Sequence, residues 1–198
     1  HLDDLGVLNG HVTAAHCVHL SDEDIALLAE RQVGVAHCPG SNMKLASGFA
    51  RVPELLEAGA TVGLGTDGAA SNNNLDLLEE ARLAALIHKG YSGDPTVVDA
   101  DQALRLATVG GARALGLADR IGTLEVGKRA DCILMDLSGA HTQPLFDVES
   151  QIVYAAHSRD VDSVVIDGCV KLCHGELVGM DEAEIIARAT ACAHRLMG

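Results

Sequence analysis

Three apolar segments near the start of the chain each end in a polar side chain that a buried strand does not need. His16 follows "VTAA", His37 follows "VGVA" and Asp67 follows "TVGLGT". In parallel α/β architectures the carboxyl ends of the strands form the ligand-binding face, and neighbouring strands lie about 5 Å apart. Two imidazoles and one carboxylate are ligand types suited to a divalent metal ion. The pattern therefore indicates a metal or catalytic site at one edge of a parallel sheet.

Each of these residues also has an ordinary structural explanation when it is taken alone. A histidine at a strand end is often a hydrogen-bonded structural residue, and Asp67 in "TDGAASNNN" fits a turn that caps the following helix. A calcium loop of the EF-hand kind is excluded, because a glycine directly follows Asp67 and the twelfth loop position would be Leu78. Both the catalytic and the structural interpretation of Asp67 stay open on these residues alone.

The remaining histidines and cysteines give weaker signals. Cys169 and Cys173 of "CVKLCH" lie four residues apart within a predicted strand, which disfavours a zinc site there. We expect five histidines at the surface or at the ends of elements: His11, His88, His141, His157 and His194.

Composition narrows the class of protein. The 198 residues are 48% apolar and only 2% aromatic, so a core packed mainly by aliphatic side chains is expected. A net charge of −14 argues against nucleic acid or an anionic membrane as a partner, since both need a basic surface. No apolar segment approaches the length of a membrane span. Most of the six cysteines lie in apolar runs, which is typical of reduced, buried thiols in a cytoplasmic protein.

The elements that must position the strand-end residues alternate between strand and helix. Ser21 followed by Asp24 predicts a capped helix start, and Pro39 predicts the end of a strand and a polar loop. Continuous apolar strands separated by helices indicate a parallel sheet covered by helices. We predict strands over 11–18, 33–39 and 61–67, and helices over 21–32, 52–60, 75–90 and 99–117.

The pattern changes near residues 117–121. Hairpin-like strands are predicted within 122–137, 150–157 and 161–177, with a turn at Asp167-Gly168, and a helix over 181–198 closes the chain. We therefore divide the chain into an α/β part, a small β part and a terminal helix: 1–120, 121–178 and 179–198.

Several of these segments resemble one known family. The segment 14–76, which contains "CPGSNMKLASG" and "GTDGAASNNNLD", resembles the last three barrel strands of an amidohydrolase-superfamily enzyme. The most similar group contains the S-adenosylhomocysteine/5-methylthioadenosine deaminases and the triazine hydrolases, and "IGTLEVGKRADCILMDL" resembles its return into a β-sandwich. The resemblance implies an α/β fold: strands six to eight of a metal-dependent (β/α)8 barrel plus part of a small β-sandwich domain. It covers the whole chain but only the C-terminal half of such an enzyme.

The resemblance implies catalytic roles for two residues. Asp67, at the end of strand eight, would bind the metal and take a proton from the metal-bound water, and both it and His16 would contact the substrate. His16, at the end of strand six, would stabilise the oxyanion-like group. Zinc is the expected metal, as one divalent ion that lowers the pKa of its water towards about 7.

The same resemblance implies supporting roles for further residues. Ser41, Asn42 and Ser71 would line the mouth of the site on loops and are weaker candidates for substrate binding. His19 and His37 would orient ligand groups, as imidazoles beside a metal site commonly do.

The function that the resemblance implies is hydrolytic deamination of an adenine nucleoside such as 5-methylthioadenosine, S-adenosylhomocysteine or adenosine. Metal-bound hydroxide would attack the ring carbon and ammonia would leave. A related ring hydrolase, such as a guanine deaminase or a triazine chlorohydrolase, and a catalytically dead amidohydrolase-like assembly protein are the alternatives. The resemblance also implies a small-molecule substrate and a homo-oligomer.

The chain departs from the family pattern in its metal ligands. The family uses an H-x-H pair on strand one and a histidine with a nearby glutamate on strand five, and no H-x-H occurs in these 198 residues. One aspartate cannot hold zinc alone. We therefore expect the chain to be a piece of a longer enzyme and to be inactive by itself.

Overall fold

The computed structural model describes residues 1–197, and Gly198, the last residue of the predicted terminal helix, lies outside them. Residues 1–197 form two sheets, one parallel and one antiparallel. The parallel sheet has the order β1-β2-β3, which confirms the prediction for the first part of the chain. Its strands are β1 (Thr13–Ala15), β2 (Gly34–His37) and β3 (Thr61–Leu64).

Helices follow and cover these strands. The first group is α1 (Asp22–Glu30), α2 (Pro39–Lys44), α3 (Val52–Glu57), α4 (Ala69–Asn72) and α5 (Leu77–Ser92). It continues with α6 (Ala100–Arg105), a π-helical turn (Leu106–Gly110) and α7 (Gly111–Ala114). The predicted capping box is present at α1, where Ser21 Oγ accepts from the Asp24 N–H and the Asp24 carboxylate accepts from the Ser21 N–H. None of the helices within residues 1–197 is long and apolar enough to cross a membrane.

The core lies between the parallel sheet and its helices. Val33, Val35 and Leu55 are completely buried, together with a row of alanines on α5 and α6. Small residues let the helices approach the strands closely. A Cβ at Gly63 of β3 would stand 2.6 Å from the Cα of Gly111, so only glycine allows this contact.

The antiparallel sheet has the order β4-β5-β6-β7. Its strands are β4 (Cys132–Met135), β5 (Val161–Ile166), β6 (Cys169–Cys173) and β7 (Glu176–Leu177). The turn between β5 and β6 has positive φ at both Asp167 and Gly168, as expected for the hairpin turn predicted there. The terminal helix α9 (Glu182–Met197) follows, and all its described residues are exposed.

One predicted strand is wrong. Residues 150–157 are not a strand: helix α8 (Val148–Tyr154) occupies most of this range, and a short 3-10 turn (Ser158–Asp160) follows it. Asp147 caps the start of α8 by accepting from the Ser150 N–H. Arg82 of α5 donates to the carbonyls of Val153, at 3.0 Å, and Ala156, beside the helix C-terminus. These tertiary contacts outweigh the strand preference of "IVY".

Two predicted loops contain short helices. Pro39 does end strand β2, but it also occupies the first turn of α2, a position that proline favours because its nitrogen needs no hydrogen bond there. The asparagine-rich segment after Asp67 contains α4.

The division of the chain into parts at 1–120, 121–178 and 179–198 stays a prediction. Helix α8, from the middle range, packs against α5 and α6 of the first.

Candidate active site

His16 and Asp67 lie side by side at the carboxyl edge of the parallel sheet. His16 directly follows β1, and Asp67 follows β3 after two residues. Because β2 is the central strand, the two residues flank it, and His16 Nε2 lies 3.8 Å from Asp67 Oδ2. The sequence prediction that strand-end residues converge is therefore borne out for this pair.

The backbone at both residues has the left-handed conformation. The φ angles are 67° at His16, 48° at Cys17 and 62° at Asp67. Such angles cost a non-glycine residue on the order of 1–3 kcal/mol and persist where surrounding contacts enforce them. At His16 the contact is the hydrogen bond from its N–H to the carbonyl of Ala36, at 2.9 Å. The strand ends thus turn sharply and direct the two side chains to the same place.

Two serines hold the Asp67 carboxylate. Ser41 Oγ donates to Asp67 Oδ2 at 2.7 Å, and Ser71 Oγ donates to the same oxygen at 2.6 Å. These hydrogen bonds, first that of Ser71 and then that of Ser41, lower the pKa of Asp67 to about 2. The carboxylate is therefore ionised at neutral pH and can act as an anionic ligand or a proton acceptor.

Asn42 holds the ring of His16. His16 Nδ1 lies 2.8 Å from Asn42 Oδ1, and the Asn42 side chain is buried. Because Asn42 engages Nδ1, the ring nitrogen left for a substrate is Nε2. It accepts a hydrogen bond in the neutral ring and donates one in the imidazolium.

His37 is buried behind this pair and turns towards helix α5. Its Nε2 lies 3.1 Å from Nε2 of His88, and both side chains are 2% exposed. The prediction that His88 lies at the surface or at the end of an element is therefore wrong, because it is buried within α5. Burial lowers the pKa of His37 to about 3 and that of His88 to about 4, so both rings are neutral at neutral pH, and one donates to the other.

The other predicted residue, His19, is exposed. A Cβ placed on Gly48 would lie 3.9 Å from its ring, which puts His19 beside the loop that follows α2. The structure thus brings five of the predicted residues together: Asn42 contacts His16, and Ser41 and Ser71 donate to Asp67. A 3.8 Å contact between His16 and Asp67 joins the two sets. The orienting roles of His19 and His37 stay predictions.

Sequence reasoning missed a buried carboxylate on α5. Glu80 is 1% exposed, and it accepts hydrogen bonds from the Gly40 N–H and from Asn72 Nδ2. The spacing of Glu80, Ala84 and His88, one helical turn apart on the buried face, is the signal that could have found it together with His88.

The donors present fit only part of a metal site. Within residues 1–197 there is no group of three or more His, Cys, Asp or Glu side chains that could hold a metal ion. The ionised Asp67 carboxylate and the accessible Nε2 of His16 are suitable donors, but a structural or catalytic zinc site takes three or four protein ligands. Asp67 therefore fits as one ligand of a site that needs further ones.

The cysteines form no metal-binding group within residues 1–197. All six are free, which agrees with the expectation of reduced thiols. The expectation that most are buried is wrong, since only Cys38 is buried whereas Cys169, Cys173 and Cys192 are exposed.

The fold and the strand-end site agree with the protein family that a sequence comparison identifies. The chain belongs to the amidohydrolase family, whose sequence model matches residues 1–171. It is 57% identical, over 96% of its length, to a 5-methylthioadenosine/S-adenosylhomocysteine deaminase of Moorella thermoacetica, of which it covers 45%. The chain thus spans less than half the length of this curated relative.

Two solved structures have the same fold as this chain. An adenosine deaminase from Xanthomonas campestris with bound zinc superposes with a TM-score of 0.97 at 48% identity, over 99% of this chain and 45% of that one. An atrazine chlorohydrolase from Arthrobacter aurescens, complexed with zinc, superposes with a TM-score of 0.90 at 34% identity, over 96% of this chain and 42% of that one.

Proposed function

We propose that this chain is the C-terminal part of a zinc-dependent enzyme that removes ammonia from the adenine ring of a nucleoside such as 5-methylthioadenosine or S-adenosylhomocysteine. The observation that carries the proposal is the His16–Asp67 pair, held at the strand ends by Ser41, Ser71 and Asn42. The identity to a deaminase with these two substrates in its name supports the substrate class.

Each residue has a defined task in this proposal. Asp67 would bind the metal as an ionised carboxylate, accept the proton of the attacking water and pass it to the departing nitrogen. Ser41 and Ser71 fix the carboxylate oxygen that they contact, so the orientation of Asp67 is set before substrate binds. His16 presents Nε2 to the oxygen that adds to the ring carbon and, as an imidazolium, donates a hydrogen bond to it.

Zinc, when bound, would supply a water with a pKa lowered towards about 7. Asp67 is the ligand that this chain offers, and the other ligands would come from upstream residues in the complete protein. In that protein, β1, β2 and β3 would be strands six to eight of a (β/α)8 barrel, and the antiparallel sheet would be part of a β-sandwich. We further propose a homo-oligomer in the cytoplasm, which light scattering and cell fractionation would test.

The test uses the chain extended upstream to the length of its relatives and loaded with zinc. With 5-methylthioadenosine as substrate, we expect ammonia release and the ultraviolet shift that accompanies loss of the adenine amino group. Asp67→Asn should lower turnover by about 10²–10⁴-fold, the scale of losing a general base, and should lower the zinc content.

Asp162→Asn is the matched control, because Asp162 also lies beside a histidine, His174, but on the antiparallel sheet. It should leave turnover and zinc content unchanged. Full turnover in Asp67→Asn would contradict the proposal.

A related ring hydrolase is the second candidate, and the fold shared with the atrazine chlorohydrolase favours it. Guanine and atrazine therefore belong in the same assay. Turnover of either one in preference to the adenine nucleosides would replace the proposed substrate class but keep the proposed roles of His16 and Asp67.

A further inference from the structure

Glu80 lies beneath the strand-end site on helix α5 and is almost completely buried. One carboxylate oxygen, Oε2, accepts the backbone N–H of Gly40 at 2.9 Å, and the other, Oε1, accepts Nδ2 of Asn72 at 2.8 Å. Both partners are donors, so the carboxylate is an acceptor at each of its oxygens.

The two partners belong to the two segments that hold the catalytic pair. Gly40 is in α2, directly before Ser41 and Asn42, and Asn72 is in α4, directly after Ser71. Ser41 and Ser71 both donate to Asp67, and Asn42 contacts His16. One buried carboxylate therefore connects both segments to the same helix.

The fit around this carboxylate is close. A Cβ on Gly40 would lie 2.2 Å from Glu80 Oε1 and 3.1 Å from Asn72 Nδ2, so the contact requires glycine at this position. Asn72 is itself fixed, because its Oδ1 accepts the N–H of Leu75 at 2.8 Å. Burial raises the pKa of Glu80, and the hydrogen bonds from Gly40 and Asn72 oppose that rise.

We propose that Glu80 is a positioning residue of the active site: by binding α2 and α4 together it sets where Ser41, Asn42 and Ser71 meet Asp67 and His16. Its hydrogen-bond partners are Gly40 and Asn72, and it contacts neither His16 nor Asp67 through a hydrogen bond. The inference deepens the proposed function and rests on it for its kinetic readout, but its structural readout is independent of activity.

The first test is Glu80→Gln in the zinc-loaded chain extended upstream. A glutamine keeps the size of the side chain but must direct its NH₂ group at one of the two donors, which breaks that hydrogen bond. We expect kcat to fall by about 10²-fold, the scale of a misplacement of about 1 Å, with KM changed little. In a crystal structure of the variant, the Ser41–Asp67 and Ser71–Asp67 separations of 2.7 and 2.6 Å should increase.

The second test reverses the polarity of the pair. In Glu80→Gln/Asn72→Asp, the introduced amide donates to the introduced carboxylate and its oxygen still accepts from Gly40, while the bond from Leu75 is preserved. We expect the double variant to recover kcat to within about tenfold of the parent and to restore both serine separations. If Glu80→Gln fails to fold, this double variant carries the test.

Glu79→Gln is the matched control, because Glu79 is the exposed neighbour on the same helix and undergoes the same chemical change. It should leave kcat and the serine separations unchanged. Unchanged kcat and separations in folded Glu80→Gln would overturn the proposal, and so would a double variant that regains the separations but not kcat.

These experiments distinguish failure of the proposed deaminase function from failure of the proposed role of Glu80. A parent protein without deaminase activity would refute that function, whereas the serine separations in Glu80→Gln would still decide the role of Glu80. With an inactive parent, separations that increase in Glu80→Gln and return in the double variant support the positioning role; with an active parent, kcat must return with them.

Discussion

A histidine beside an aspartate occurs in both sheets, but the surroundings of the two pairs differ. In the antiparallel sheet, His174 Nδ1 lies 3.0 Å from Asp162 Oδ1, and the His174 side chain is 84% exposed. In the parallel sheet, His16 and Asp67 are held by Asn42, Ser41 and Ser71 and are only about one-third exposed. Both aspartates are held by serines, since Ser163 Oγ donates to Asp162 at 2.7 Å. The two pairs differ in the histidine, which is fixed by Asn42 in the parallel sheet and is largely exposed in the antiparallel one.

Burial separates the two regions in the same way. Three of the four residues of β2 are buried, whereas four of the five residues of β6 are exposed. Rigid support is what a catalytic site needs, since side chains must be held within about 0.5 Å of their working geometry. The parallel sheet supplies it because β3 packs against α3, α5 and α7, and β2 packs against α7.

The largest expected effect tests this difference in packing. Leu55→Ala removes a completely buried side chain, and we expect the free energy of unfolding to fall by about 2–5 kcal/mol. Leu177→Ala, the same substitution on β7 where the side chain is 41% exposed, should cost about 1 kcal/mol or less. Urea unfolding of the upstream-extended chain measures both, and equal losses would show that the antiparallel sheet is as well packed as the parallel one.

The next effect tests the difference in chemistry. We expect His16→Ala to lower turnover by about 10²-fold or more while zinc content is retained, because it removes substrate stabilisation and not a metal ligand. His174→Ala, the control from the other pair, should leave turnover unchanged. Steady-state kinetics with metal analysis measures both, and loss of zinc in His16→Ala would assign His16 to the metal instead.

The smallest expected effect concerns the buried pair of His37 and His88. Their pKa values of about 3 and about 4 lie below the ordinary value of 6.5, so the unfolded chain binds protons that the folded chain does not. Stability should therefore fall as the pH drops below about 6.5, because the unfolded chain gains protons that the folded chain excludes from these two rings.

His37→Gln/His88→Gln should flatten this part of the pH dependence, because amides keep hydrogen-bonding groups but do not titrate in that range. The comparison uses urea unfolding with a chelator present, so that loss of metal does not contribute. His174→Gln is the exposed control and should keep the slope of the parent. An unchanged slope in the double variant would show that the buried pair does not cause the acid sensitivity.

The sequence was sufficient to predict the parallel sheet and the convergence of His16 and Asp67. Continuous apolar strands that end in polar residues are a local pattern, and parallel pairing brings their ends together. The environment of Asp67 was harder to predict from the sequence. Ser41 is in a segment predicted as a loop, and its contact with Asp67 depends on helix α2.

Tertiary contacts explain what the sequence could not predict. Residues 150–157 have strand-forming side chains, yet Arg82, which is 71 positions away from Val153 in the chain, binds the end of a helix there. Glu80 and His88 look like ordinary polar positions of an amphipathic helix. Only the partners that α2 and β2 bring to them show that both are buried.

The role of Asp67 as a zinc ligand is tested most directly by a crystal structure of the zinc-loaded, upstream-extended chain, with the metal located by anomalous scattering at the zinc edge. We expect a carboxylate oxygen of Asp67 at about 2.0–2.2 Å from the zinc ion, with Ser41 and Ser71 still donating to that carboxylate. A zinc ion bound elsewhere, with Asp67 held only by the two serines, would contradict this role.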